Sequence, residues 1–271
     1  MVSKEIGNRK GARKAQDIPK EVLALLNNGK IQTVNLTEWL AVDQTELIKN
    51  SLPKIGLKNC IESITKAIGQ QKKASTMSSI KIIGLHLYEY CHKSKSLVST
   101  VELLSNHESD TMRCYATYLI ALNPELNISE KLNQSRKLIA DKHFGVREIV
   151  WMALRPEIES NLKESIELLS GWTNDQDENI RRFVTESTRP RGVWCKHIET
   201  LKENPEQALS ILEPLKSDKS NYVQNSVGNW LNDASKSKPE FVSRLCEKWK
   251  SESQTAETEK IIKRALRTIE K

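Results

Sequence analysis

An all-α fold of stacked helical repeats is predicted by three observations. Ten glycines and eight prolines in 271 residues leave long uninterrupted windows, which argues against a β-sandwich or an α/β nucleotide-binding fold. Apolar residues recur at i, i+3 and i+4 through those windows, the period of a helix with one buried side. A hydrophobe followed by a long polar side chain also returns at near-regular intervals.

Residues 1–20 form a basic arm with Lys4, Arg9, Lys10, Arg13 and Lys14 against Glu5 and Asp17. Both a frayed tail and an arm that grips phosphate fit this composition. Asp17-Ile18-Pro19 opens the first helix, since proline is tolerated at an opening position. Leu23, Leu25 and Leu26 give its apolar side, and Asn27-Asn28-Gly29 closes it. A helix over 36–42 follows with Trp39 inside it. The next starts at Asp43, where Glu46 completes a capping-box pattern, and runs to about Lys49. The spacing then predicts helices over 54–68, with Gly56 weakening the first turn, and over 75–92, with Ile80, Ile83, Leu87 and Tyr90 inward. Helices over 97–104 and 111–122 come next, the latter stopped by Asn123-Pro124.

The repeat is carried by Met112-Arg113, Val146-Arg147, Ile180-Arg181 and Val223-Gln224, spaced by 34, 34 and 43 residues. Such a recurrence in an all-helical chain is the signature of HEAT-like repeats. Each helix pair cannot bury its apolar side alone and must stack on its neighbours. The expected architecture is therefore a single solenoid domain over 21–271, curved into a superhelix with a concave basic groove. About half of the repeated arginines are expected to bridge to a carboxylate or helix end of the adjacent repeat.

The net charge of +7 and a pI near 9.0 favour a polyanionic partner. The cysteines, Cys60, Cys91, Cys114, Cys195 and Cys246, are scattered and odd in number, so neither a disulfide framework nor a zinc cluster is indicated. Cys91-His92 and Cys195-Lys196-His197 each lack a second ligand pair. No metal and no organic cofactor are expected. No apolar run approaches the roughly 20 residues of a membrane span, and no apolar core follows the N-terminal charges. A soluble, cytoplasmic protein is expected.

Three stretches carry candidate chemistry. In HFGVREIVWMALRP (143–156), Glu148, Trp151 and Arg155 are spaced by three and four and share a helix face. Core packing of Trp151 and a surface charge pattern are the bland alternative. In NIRRFVTESTRPRGVW (179–194), Arg181 and Arg182 sit at a helix start, where acids suit the dipole better. Pro190 ends that helix, and the turn presents Arg189, Arg191 and Trp194. Arginine forks suit phosphate, and tryptophan stacks on a sugar, a base or a cation. Glu186 at i+4 from Arg182 offers a purely structural partner. In YVQNSVGNWLNDASKSKP (222–239), Tyr222, Val223, Val227 and Leu231 form the buried stripe. Gly228 costs about 1 kcal/mol against alanine in a helix, which points to close approach of another group. Asp233 is followed by Lys236 and Lys238, a pattern that a surface cluster also produces.

The segments NRKGAR (8–13), EWLAVDQ (38–44), FGVRE (144–148), 181–194 and 222–239 resemble the HEAT-like-repeat DNA alkylation-repair family, and its AlkC-type branch more than its AlkD-type. The resemblance spans nearly the whole chain. It implies a monomeric glycosylase that removes cationic N3- and N7-alkylated purines, such as 3-methyladenine and 7-methylguanine, from duplex DNA. Such a base is already a good leaving group, so the enzyme needs a carboxylate to stabilise the sugar cation and orient water. It also needs an aromatic face. The resemblance gives Asp233 the carboxylate role and Trp194 the stacking role. Arg189, Arg191, Arg147 and Arg182 are expected on phosphates, with Lys236, Lys238, Arg9, Lys10 and Arg13 as further DNA contacts. One position departs from the AlkC-type pattern, in which a glutamate lies four residues before Arg-Pro. Here Trp151 stands there, before Arg155-Pro156. Either Glu148 substitutes one turn away, or Trp151 supplies a second aromatic wall and the carboxylate work falls to Asp233. Two other readings remain: a non-catalytic relative that binds damaged or branched DNA, and a solenoid scaffold for proteins.

Overall fold

The structure, a computed structural model, describes residues 4–270. The first three residues of the basic arm and Lys271 lie outside the described residues. Helices account for all the regular structure described. In chain order they are α1 (Lys4–Gly7), α2 (Lys20–Asn27), α3 (Leu36–Ala41), α4 (Gln44–Ser51), α5 (Ile61–Gly69) and α6 (Thr76–Lys93). Next come α7 (Leu97–Ser105), α8 (Asp110–Ala121), α9 (Ile128–Ile139), α10 (Phe144–Ser160), α11 (Leu162–Ser170) and α12 (Glu178–Ser187). The last are α13 (Glu199–Glu203), α14 (Leu209–Leu212), α15 (Asn221–Ser235), α16 (Pro239–Glu252) and α17 (Ala256–Leu266). The chain falls into two compact units, one of residues 1–126 and 141–153, the other of residues 127–140 and 154–271.

Local sequence explains most of the boundaries. Asn35, Asp43, Ser75, Asn127, Asp177, Ser220 and Thr255 each accept a backbone N–H at a helix start. At Asp43 only half of the expected capping box forms. Its carboxylate takes the Thr45 and Glu46 amides, while Glu46 turns to Lys49 at 3.2 Å. The expected helix over 54–68 is broken. Gly56 adopts φ +81° after a 3₁₀ turn, and α5 starts only at Ile61. A left-handed residue ends a helix, so Gly56 does more than weaken a turn. Pro156 lies inside α10.

The repeated hydrophobe-Arg position has a structural role. Arg113 Nη1 donates to the carbonyls of His107 and Glu108, Arg147 Nη1 to those of Asp141 and Lys142, and Arg181 Nη1 to those of Asp175 and Gln176. Each arginine thus ties its own helix to the loop five and six residues before it. Its other edge reaches the next loop: Arg113 pairs with Asp141 at 2.7 Å and Arg181 with Asp218 at 2.6 Å. Asp141, Asp175 and Asp218 each also accept the N–H two residues on, at 2.8 Å. At the last repeat Gln224 reproduces the inner half by donating to the Asp218 carbonyl. The pairs Arg113–Asp141 and Arg181–Asp218 therefore fasten a helix to its own loop and to the next one.

In the first unit the core gathers Trp39, Leu47, Ile48, Ile64, Ile83, Leu87, Tyr115, Leu119 and Ile149. The basic arm docks onto it. Arg9 forks onto the buried carboxylate of Glu38, 2.7 Å away, and also donates to the Ile6 and Gln32 carbonyls. Asn35 and Thr37 hold the Ala12 and Arg13 carbonyls. Beside this junction lies a buried polar knot. His143 Nε2 stands 2.9 Å from the Thr33 carbonyl, and Nδ1 accepts the Gly145 N–H at 3.1 Å. Asp110 accepts both the amide and the hydroxyl of Thr33.

Burial, aided by the Arg113 cation, outweighs Asp110 and holds the His143 imidazole below its usual pKa. Burial lowers His107 in the same way. The unfolded chain then takes up protons first, so this stability is complete above pH about 6.5 and declines as pH falls below it. The urea midpoint should drop between pH 7.5 and 5.5, and His143→Gln should shallow that slope. An unchanged slope in the variant would remove His143 as its source.

In the second unit Leu138, Leu169, Phe183, Val184, Leu212, Val223, Val227, Trp230, Leu231, Trp249 and Ile261 are buried. Gly228 sits where α15 meets α17. A Cβ there would stand 2.8 Å from the Cβ and Cδ of Arg264, which is the close approach its sequence position suggested. No helix of the described residues is long and apolar enough to cross a membrane.

Candidate nucleic-acid interface

The C-terminus of α12, the turn after it and the end of α15 build one ion network in the second unit. Asp233 is buried, with 3% of its surface exposed. Its Oδ2 accepts from Arg189 Nε at 2.8 Å and pairs with Nη2 at 2.7 Å, while Oδ1 faces Lys236 Nζ at 3.2 Å. The remaining arm of Arg189, Nη1, donates to Glu186 Oε1 at 2.9 Å. Glu186 Oε2 accepts from Ser226 at 2.8 Å and lies 3.5 Å from Arg182. Burial alone pushes the Glu186 carboxyl up, but Arg182, Arg189 and the hydrogen bonds outweigh it and hold it below the usual range. The arrangement alternates charge along Arg182, Glu186, Arg189, Asp233 and Lys236.

The turn between α12 and α13 is clamped from beneath. Arg155 spreads its guanidinium over three carbonyls: Nη1 donates to Ser187 at 2.9 Å, Nη2 to Arg189 at 2.5 Å and Nε to Lys196 at 3.0 Å. Gly192 lies flat against that guanidinium, where a Cβ would meet Cζ at 3.0 Å. Trp230 Nε1 takes the Thr188 carbonyl, and Ile198 N–H closes the loop onto Pro190. Arg191 fastens the loop to α15 through the Asp233 carbonyl at 3.3 Å and the Ser237 hydroxyl at 2.7 Å. From this base the loop projects Val193 and Trp194. Trp194 is 71% exposed and holds φ +59°, a conformation that costs a bulky residue about 1–3 kcal/mol and clusters at functional sites.

The expected residues are thus distributed as follows. Asp233, Arg189, Arg191, Arg182, Lys236 and Trp194 gather around the α12 turn. All three nitrogens of Arg189 engage buried carboxylates. Arg182 lies over the Tyr222 ring at 4.3 Å. Lys238 is exposed at the start of α16. In the first unit, Trp151 is buried and donates Nε1 to Glu148 Oε2 at 2.9 Å. It offers no open aromatic wall, and core packing is its observed role. Arg147 donates to the loop before its own helix and Arg9 forks onto Glu38; Lys10 and Arg13 are exposed. The i+4 pairing of Arg182 with Glu186 is present, whereas the hold of Glu186 on Arg189 and the parts played by Ser226 and Arg155 were not expected. No cluster of three or more metal-binding side chains occurs among the described residues.

The sequence profile of the family described as DNA alkylation repair enzyme matches residues 102–269, more than half of the chain. Over 117 residues the chain is 39% identical to the uncharacterised protein YhaZ of Bacillus subtilis (strain 168), covering 43% of this chain and 32% of that protein. Its fold is similar to that of the Pseudomonas fluorescens alkylpurine DNA glycosylase AlkC bound to DNA containing an abasic-site analogue. There the TM-score is 0.65 at 22% identity, covering 83% of this chain and 60% of the other. AlkD2 of Streptococcus mutans aligns with a TM-score of 0.58 at 25% identity, covering 76% of this chain and 97% of that one.

Proposed function

The chain belongs to the DNA alkylation repair enzyme family, and from that premise we propose that it is a DNA glycosylase that hydrolyses the N-glycosidic bond of cationic N3- and N7-alkylpurines in duplex DNA. The observation that carries the reading is the Asp233 carboxylate, fixed at two points by Arg189 below a loop that exposes a left-handed tryptophan. An alkylated purine leaves without protonation, so catalysis reduces to stabilising the sugar cation and delivering water. A carboxylate that needs no reorganisation suits the first task. Its Oδ1, held only by the half-exposed Lys236, is the oxygen available to orient water. Trp194 offers a face for the cationic base. Arg191 and Lys236 supply positive charge beside it, and 3-methyladenine and 7-methylguanine are the representative products.

The test is a base-release assay on methylated duplex DNA with the free bases quantified. Release of either base supports the reading. Normal DNA binding with no release of 3- or 7-alkylpurine sinks it in favour of a second reading, a non-catalytic relative that binds damaged or branched DNA. The burial of Asp233 and the partners on both its oxygens favour that second reading, since they suffice to explain the residue structurally.

A further inference from the structure

We propose that Lys260, Arg264 and Arg267, on one side of α17 and its C-terminal end, form a strip that grips the phosphate backbone of duplex DNA. The proposal rests on the DNA reading above and adds a contact surface to it. The three residues lie at i, i+4 and i+7 and so share a helix face. Arg264 lays its stem in the notch left by Gly228, with Nη1 3.5 Å from Asn229 Oδ1. Arg267 donates Nε to Asn232 Oδ1 at 2.9 Å, and Lys260 bonds Asn221 Oδ1.

Every one of these partners is a neutral amide. None of the three cations pairs with a carboxylate among the described residues, whereas four other cations of the second unit do. Arg181 holds Asp218, Arg189 holds Asp233, Lys216 holds Glu252 and Lys248 holds Glu213. An amide orients a cation without cancelling its charge, and it leaves the guanidinium nitrogens not bonded to it free for phosphate oxygens. Asn232, which holds Arg267 and also the Ala265 carbonyl and Thr268 hydroxyl, immediately precedes Asp233. The strip and the candidate carboxylate therefore sit on the same pair of packed helices. At 1.5 Å per residue the strip is roughly 10 Å long, long enough to reach successive phosphates of one strand. A glycine kept inside α15 at a cost to that helix is accounted for by the need to seat Arg264.

The test measures binding of a short undamaged duplex across a salt series. Lys260→Gln, Arg264→Gln and Arg267→Gln combined should lower the salt slope by about 2–3 and weaken binding on the order of 10- to 100-fold at low salt. Lys248→Gln on α16, which removes an acid-paired lysine, should leave the slope unchanged. If the triple variant melts early, Lys260→Gln with Arg267→Gln removes only exposed groups and should lower the slope by about 2. An unchanged slope in that pair, or an equal loss per charge from Lys248→Gln, overturns the strip. A wild-type protein with no affinity for the duplex overturns the DNA reading itself, so the two failures are distinguishable.

Discussion

Asp233→Asn should bind methylated duplex DNA as the wild type does and release alkylpurines on the order of 10²–10³ times more slowly, the loss seen when one preorganised electrostatic group is removed from an active site. The substitution is close to isosteric, and its amide oxygen still accepts from Arg189, so the turn and α15 stay tied through Arg191 and Ser237. What disappears is the negative charge opposite the developing sugar cation. The loss should therefore appear in the single-turnover rate at saturating enzyme and leave the binding constant in place. Trp194→Ala should differ in kind. Trp194 is largely exposed, so its removal should leave melting unchanged while costing about 1–3 kcal/mol of stacking on the DNA. Full-rate excision by Asp233→Asn, with folding intact, would leave the carboxylate as a structural group only.

The helical class and the repeat were legible because both depend on local, periodic features. Asn35, Asp43, Ser75 and Asp177 cap where the sequence allows, and Pro190 stops α12 as its missing N–H requires. The recurring arginines were legible as a pattern, and their bridging role was foreseen for half of them. That Arg147 follows the same rule was invisible, since a guanidinium suits a carbonyl and a phosphate equally well. The same ambiguity hid the carboxylate partners of Arg189. Its partners lie at sequence distances of three and forty-four residues, and only the folded chain brings Asp233 to it. Trp151 shows the reverse: its helical spacing marks a face, but whether that face is core or groove depends on which helix covers it. The α17 strip carried only the indirect signal of Gly228, because cations on a helix are ordinary until their partners prove to be amides.

Arg189→Met should be the most destabilising single change at the site, by about 3–5 kcal/mol, because it removes the one cation shared by two buried carboxylates. For a domain of this size that corresponds to a fall in melting temperature of roughly 6–20 °C. The pH dependence identifies the cause. In the wild type the Glu186 carboxyl sits below its ordinary value, so its contribution is complete above the unfolded pKa and is lost as pH falls through the folded one. With Arg189 gone, burial is opposed only by Arg182 and the Ser226 hydrogen bond, and the carboxyl moves upward. The variant then gains protons on folding, and its deficit against wild type should shrink as pH falls from 7 toward 5. Adding Glu186→Gln to Arg189→Met should recover stability at pH 7, since one stranded charge is removed with little change of shape. Denaturant midpoints of the three proteins at the two pH values form the measurement. A double variant less stable than Arg189→Met alone would show that Glu186 is held by Ser226 and Arg182 independently of Arg189, and that the alternating charges do not act as one network.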